Sequence, residues 1–340
     1  MPDGKHRIVS IEQLTTWCIT KFQQVGVSVD HATTVTKILL HANLRGVDSH
    51  GVMRMEHYIE KIKQGGINPQ AKITAESTGI VNAIIDGNDG LGHLAAKEAM
   101  TLAVQLAKKY GIGVVSVINS SHCGALSYFV ELAAKEKCVG VAMTNTDKMV
   151  VPFGGSSAYF GTNPMAFGFP AGDYPSIILD MATSSVAYGK ILEAKQLGQS
   201  IPAHWAVDQA GNPVEDPNQF AALLPFGGPK GYGLNMVVDI FAGILTGSPF
   251  GPYVPPMYTD DLSQYRKLGH FMCVFDISRF TDLAKYRENM MKMIDDLHEM
   301  TPAPGFQRVL LPGEPEYIKE QQRSKDGIPI AEETYQYLIC

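Results

Sequence analysis

The side chains able to move a proton or hold a charge gather in a few short segments. Asp48-Ser49-His50-Gly51-Val52-Met53-Arg54 opens an amphipathic stretch. At a 3.6-residue period His50, Arg54 and Tyr58 share a face opposite much of the apolar stripe. Free N–H groups at a helix start, with a guanidinium one turn on, suit a carboxylate; a capped surface helix with a solvated Arg and His is the plain alternative. Ser120-Ser121-His122-Cys123-Gly124 follows an apolar run and precedes a helical pattern. A histidine in such a strand-end loop can take a proton from a hydroxyl near neutral pH, or it can be a structural residue of a capping loop. Cys123 lacks the cationic context that activates a thiol. Asn145-Thr146-Asp147-Lys148 ends another run, followed by Pro152-Phe153-Gly154-Gly155 and Gly161-Thr162-Asn163-Pro164. The two glycine turns can approach a ligand closely or serve as hairpin turns. Asp180-Met181-Ala182-Thr183 places an acid inside a strand pattern, costly unless it is hydrogen-bonded.

Neither common phosphate loop is present. The G-x-G-x-x-G fingerprint is missing, and the nearest segment, Gly87-Asn88-Asp89-Gly90-Leu91-Gly92, has reversed spacing and reads as a turn before a helix. Gly227-Gly228-Pro229-Lys230-Gly231 has a lysine but lacks the spacing and hydroxyl of a Walker loop. The histidines show no H-x-x-H or H-E-x-x-H spacing, and the five cysteines are scattered without a C-x-x-C pair. No metal site and no disulfide framework is expected.

These segments need elements to position them. Ser10 and Gln13 make a capping-box start for a helix that buries Leu14, Trp17, Cys18 and Phe22 and stops at Gly26. A second helix runs from near Asp30 to Gly46, and a third from Asp48-Ser49 to Gly65-Gly66. No strand pattern appears in this region, which reads as a helical N-terminal domain over residues 1–75. Beyond it come strand-like runs at Ile80–Asp86, Ile112–Ile118, Val139–Asn145, Met165–Phe169, Ile177–Met181 and His270–Asp276, with a shorter one near Val309. Helical patterns cover Gly92–Tyr110, Ala125–Glu136, about 281–300 and the polar C-terminal region. Gly231–Leu245, apolar nearly all round, reads as a buried helix in a loop and helix excursion around 200–250. Strands and helices mix without strict alternation, which favours α+β over a doubly wound sheet for residues 76–340.

Composition bounds the rest. The 340 residues carry a net charge of −6, with 45% hydrophobic and 18% charged side chains, so the chain folds and has material for a large core. An acidic chain with pI near 5.9 argues against nucleic acid as a partner. There is no apolar leader, and no stretch is long enough to span a membrane. A reducing cytoplasm is the natural expectation. The 33 glycines are roughly one-third above the usual ~7%, a composition that suits backbone brought close to a ligand.

In order along the chain, R-G-V-D-S-H-G (45–51), S-H-C-G (121–124), P-F-G-G (152–155), G-T-N-P (161–164), D-M-A-T (180–183), G-P-K-G-Y-G-L (228–234), T-P-A-P-G-F (301–306) and P-G-E (312–314) resemble the type-2 malate/L-lactate/sulfolactate dehydrogenase family. The resemblance implies an oxidoreductase acting on a small 2-hydroxy acid with NAD, NADP being open as well. It also implies a homodimer whose mixed α/β sheet is not a Rossmann domain. By the same resemblance His122 is the general base. Arg54 holds the substrate carboxylate beside Ser49, His50 and Tyr58, with His50 given the acid/base role in some relatives. Asp147 is an orienting acid near the substrate. Thr146, Asp180, Met181, Ala182, Lys230, Gly231, Gly313 and Glu314 line the dinucleotide.

Overall fold

Capping chemistry and apolar spacing coincide at the first helices. The computed structural model describes residues 6–259 and 261–340. Strand β1 (His6–Val9) leads into α1 (Ile11–Gln24), where Ser10 Oγ accepts the Gln13 N–H and the Gln13 side chain accepts from the Ser10 N–H. Leu14, Cys18 and Phe22 are fully buried, and a Leu or Phe so placed contributes roughly 1.5–3 kcal/mol. Helix α2 (Val29–Leu44), capped by Ser28, turns Val35, Ile38, Leu39 and Ala42 inward.

The expected third helix does not start at Asp48. Residues Asp48–His50 and Val52–Arg54 form two single 3-10 turns, and α3 spans only Met55–Lys63. The cause is Asn43 at the end of α2. Its side-chain oxygen accepts the Val52 N–H at 2.8 Å while its amide donates to Asp48 Oδ1 at 2.7 Å. Gly51, in extended backbone between the turns, packs against that amide so tightly that a Cβ would collide with it. His50 and Arg54 therefore do not lie on one regular helix.

The chain continues through β2 (Thr74–Ser77), β3 (Asn82–Asp86), α4 (Gly92–Tyr110), β4 (Ile112–Ser120), α5 (Ser127–Lys135), β5 (Cys138–Thr144), β6 (Met165–Ala171) and β7 (Tyr174–Met181). After these come α6 (Tyr188–Leu197), β8 (Ala206–Val207), β9 (Ala222–Leu223), α7 (Pro229–Asp239), β10 (Leu268–Asp276), α8 (Leu283–His298), α9 (Glu314–Asp326), β11 (Ile328–Ala331) and α10 (Glu332–Ile339). Seven strands form one mixed sheet in the order β2-β3-β4-β10-β5-β6-β7, and only β3 and β4 run parallel. Helices α4 and α5 cover one face, packing Ala99, Met100, Ala103, Phe129 and Val130 on Ile85, Val117 and Met272. The other face carries Val141, Met143, Phe271 and Cys273 against Val238 and Phe241.

Three expectations need correction. The N-terminal region does hold a strand: β1 pairs antiparallel with β11, and Val9, Ile328, Ile330 and Leu338 join the core of α1–α3. A four-residue strand whose partner lies more than 300 residues on leaves no local period to read. No strand forms near Val309, where the chain is irregular. Finally, α7 starts at Pro229 and runs into a π-helical turn at Ile240–Ile244, and this unit is not buried all round. Leu234, Val237, Ile240, Ile244 and Leu245 are each more than a third exposed, so apolar composition marked a bare face as well as a core face. Among the described residues, no helix is long and apolar enough to cross a membrane.

Candidate active site

Strand direction brings the flagged segments to one edge of the sheet. β10 runs antiparallel to both β4 and β5, so it begins where they end, with Leu268 opposite Ser120 and His270 opposite Thr144. β6 begins and β7 ends on the same side, with Met165 opposite Met181. The loops after Ser120, Thr144 and Met181, and those before Met165 and Leu268, thus leave a common edge.

His122 is fixed from behind. Ser121 Oγ donates to Gly90 O at 2.8 Å and accepts the Gly92 N–H at 2.9 Å, pinning the loop to the start of α4. A Cβ at Gly92 would collide with the Ser121 carbonyl, so the start of α4 is packed directly against this loop. His122 Nδ1 lies 2.6 Å from Tyr58 Oη. Tyr58, expected beside the substrate, is 1% exposed, with its hydroxyl on His122 and its ring packed edge-on against His93. Burial raises the phenol pKa, so it stays neutral. Cys123 is buried, and its thiol is pushed up to about 12, which removes it as a nucleophile.

Two guanidiniums and two further imidazoles neighbour the His122 ring. Burial holds the His122 pKa well below 6.5, and His50, Arg54, His93 and Arg266 push it the same way. The ring is neutral at physiological pH. His50 sits 5.6 Å away, centroid to centroid, with Nδ1 3.0 Å from Ser49 Oγ; burial, then Arg54, lowers it to about 4. Arg54 Nε donates to Ser49 O at 2.6 Å, and its guanidinium lies over the Tyr258 ring at 5.6 Å. Its two terminal nitrogens have no hydrogen-bond partner among the described residues. That leaves a forked donor open to a carboxylate.

Asp147 is ion-paired with Arg266, a residue no sequence motif marked. The other expected positions divide. Thr146 Oγ1 accepts the Thr162 N–H at 2.9 Å, and its own N–H donates to Asn163, so it stabilises the G-T-N-P turn. Buried Asn163 in turn donates to Asn235 Oδ1 at 2.9 Å, a pairing the sequence did not signal. Asp180 Oδ2 accepts the Ser127 N–H at 2.7 Å, with Met181 and Ala182 half-buried after it. Gly313, in left-handed backbone, packs on Ile178 and passes its carbonyl to Arg45 Nη2 at 3.3 Å. Glu314 accepts from the Leu311 N–H, His298 and Arg308. Lys230 is exposed in the first turn of α7, where Gly231 packs under the Phe226 carbonyl. Among the described residues, no three His, Cys, Asp or Glu side chains are placed to hold a metal ion.

Known proteins share this architecture. The malate/L-lactate dehydrogenase family profile matches residues 9–339. The chain is 42% identical over 331 residues to the ureidoglycolate dehydrogenase (NAD(+)) of Escherichia coli O157:H7, covering 97% of this chain and 95% of that protein. It is 36% identical over 326 residues to the L-sulfolactate dehydrogenase of Methanocaldococcus jannaschii, covering 95% and 93%. In structure it matches the malate dehydrogenase of Entamoeba histolytica with a TM-score of 0.92 at 32% identity, over 98% of this chain and 97% of that one. The sulfolactate dehydrogenase of M. jannaschii gives the same TM-score at 35% identity, over 98% and 95%. The chain belongs to the malate/L-lactate dehydrogenase family.

Proposed function

We propose that this chain oxidises (S)-ureidoglycolate to oxalurate with NAD, as a cytoplasmic homodimer serving the breakdown of allantoin and other purine products. One observation carries the chemistry: a neutral imidazole held at one ring nitrogen has, among its charged neighbours, an Arg whose guanidinium fork is free. The 42% identity to a ureidoglycolate dehydrogenase favours that substrate within the family.

His122 Nε2 takes the proton of the 2-hydroxyl, and for this Nδ1 carries its hydrogen and donates it to Tyr58 Oη. Arg54 grips the carboxylate, with Ser49 and His50 beside it. The substrate's negative charge offsets Arg54, one of the cations that weaken His122 as a base, so proton affinity rises as substrate arrives. NAD, when bound, supplies the acceptor for the hydride from C2.

The residues present suit a dinucleotide. Gly227 and Gly228 both adopt left-handed backbone before α7, with open space where a Gly227 Cβ would stand, and Lys230 follows in the first turn. A helix start with a free lysine suits a pyrophosphate. Lys230, Gly231, Asp180, Met181, Ala182 and Gly313 would hold the cofactor directly. Thr146 and Glu314, already hydrogen-bonded within the protein, would act by shaping the turns around it. The non-Rossmann reading is supported by a sheet with one parallel pair. Residues 1–75 are proposed as the substrate-side helical unit, with β11 and α10 added to its core. The bare stripe from Leu234 to Leu245 is the proposed dimer face.

The direct test is reduction of NAD or NADP by the purified protein against a panel of 2-hydroxy acids. Ureidoglycolate with NAD is expected to give the highest kcat/KM. A robust rate with malate and none with ureidoglycolate would overturn the substrate. Arg54→Ala is expected to raise KM for the hydroxy acid about 10–100-fold while KM for NAD stays near wild type, the loss of a charge-assisted pair. An unchanged hydroxy-acid KM would send the carboxylate elsewhere.

A further inference from the structure

We propose that Arg266 and Asp147 act as one reader of the substrate's fourth substituent and select a neutral arm that both accepts and donates hydrogen bonds, a ureide or amide. The inference rests on reading this site as a 2-hydroxyacid dehydrogenase. C2 of such a substrate bears a hydrogen, a hydroxyl, a carboxylate and an arm. His122, Arg54 and the cofactor account for the first three, which leaves the arm without a partner.

Arg266 precedes β10 and Asp147 follows β5, so both leave the same sheet edge as His122. Arg266 is 2% exposed. Its Nε donates to Pro255 O at 3.0 Å and its Nη2 to Asp147 Oδ1. The remaining terminal nitrogen, Nη1, is buried without any partner among the described residues. A buried donor left open is rare, because its lost hydration goes uncompensated. Asp147 is also half used: Oδ1 carries the ion pair, while Oδ2 has no hydrogen bond among the described residues. The pair thus presents one open donor beside one open acceptor, with little net charge. A ureido carbonyl accepts from the first, and a ureido N–H donates to the second.

The contrast with Arg54 fixes which cation takes which group. Arg54 has no acidic partner and a free fork, the complement of a carboxylate. Arg266 has its charge matched by Asp147 and only one free nitrogen. A second carboxylate or a sulfonate in the arm would meet the Asp147 charge, and like charges side by side reject a partner. A site built to hydrogen-bond a polar arm also rejects one lacking it, because its own groups are left unpaired.

The test measures kcat/KM for ureidoglycolate and for malate in wild type, Asp147→Asn and Arg266→Met, with melting temperature and NADH fluorescence as folding controls. Asp147→Asn frees the Arg266 cation. It is expected to lower ureidoglycolate about tenfold and raise malate about tenfold, moving their ratio about 100-fold. Arg266→Met is expected to lower ureidoglycolate about 100-fold without raising malate, since Asp147 then stands alone. Loosening of the loop would lower both substrates by one factor in both variants; that result, in a wild type that oxidises ureidoglycolate, overturns this inference alone. A wild type that prefers malate overturns the function proposed above and this selection with it.

Discussion

Replacing His122 by Ala is expected to lower kcat about 100-fold or more, while NADH still binds. General bases commonly contribute 10²–10⁴-fold. The variant tests the division of labour between two neighbouring imidazoles whose centroids are 5.6 Å apart. His122 has its rear nitrogen on a neutral phenol, which fixes the ring and aims the other nitrogen outward. His50 has the Ser49 hydroxyl on its Nδ1 and lies on a short 3-10 turn, a softer mount. His50→Ala should therefore cost less in kcat than His122→Ala. Equal losses, or near wild-type turnover for His122→Ala across pH 6–9, would remove His122 from the role. The pH profile adds a second check. Because the folded pKa of His122 is lowered, its base form persists as pH falls past 6.5. The acid limb of kcat/KM for oxidation should lie below that point; a limb above it would mean that a different group titrates.

Recognition of this site from sequence follows the physics of each residue. The motifs around His50 and His122 are contiguous, and their segments end at signals such as Gly51 and Gly124 that a linear reading can find. Most strands and helices were legible for the same reason: α4 has the expected bounds, Gly92–Tyr110, because its apolar stripe runs unbroken between two glycines. Arg266 was invisible, since an isolated Arg gains meaning only when antiparallel pairing of β10 with β5 sets it on Asp147. The 3-10 turns at 48–54 were equally hidden, because their cause is a side chain in the preceding helix, Asn43. Strand β1 depends on a partner at the far end of the chain. These three misses share a cause: each depends on a partner outside the segment being read.

Long-range burial also sets the second large effect, on stability in acid. His93 and His270 are both 0% exposed. Desolvation lowers His93 to about 3 and His270 to about 4, against about 6.5 in an unfolded chain. In each case the folded pKa is below the unfolded one. As pH falls through 6.5 the unfolded state binds protons that the fold excludes, so stability is intact above 6.5 and drains between 6.5 and about 4. At about 1.4 kcal/mol per unit, the two rings together cost on the order of 5 kcal/mol by pH 4, comparable to the whole stability of many domains. The melting temperature should thus be nearly flat from pH 8 to 7 and fall steeply below 6.5. The two histidines separate by their partners. His270 bonds Thr144 Oγ1 at 2.7 Å and Ser120 Oγ at 2.8 Å, whereas neither nitrogen of His93 has a partner among the described residues. His93→Met should therefore shallow the acid limb with little loss at pH 8, and His270→Met should shallow it while also lowering stability at pH 8 through the loss of two buried hydrogen bonds. A melting temperature that holds steady to pH 4, or an acid limb unmoved by either substitution, would show that these rings take up protons inside the fold without disrupting it.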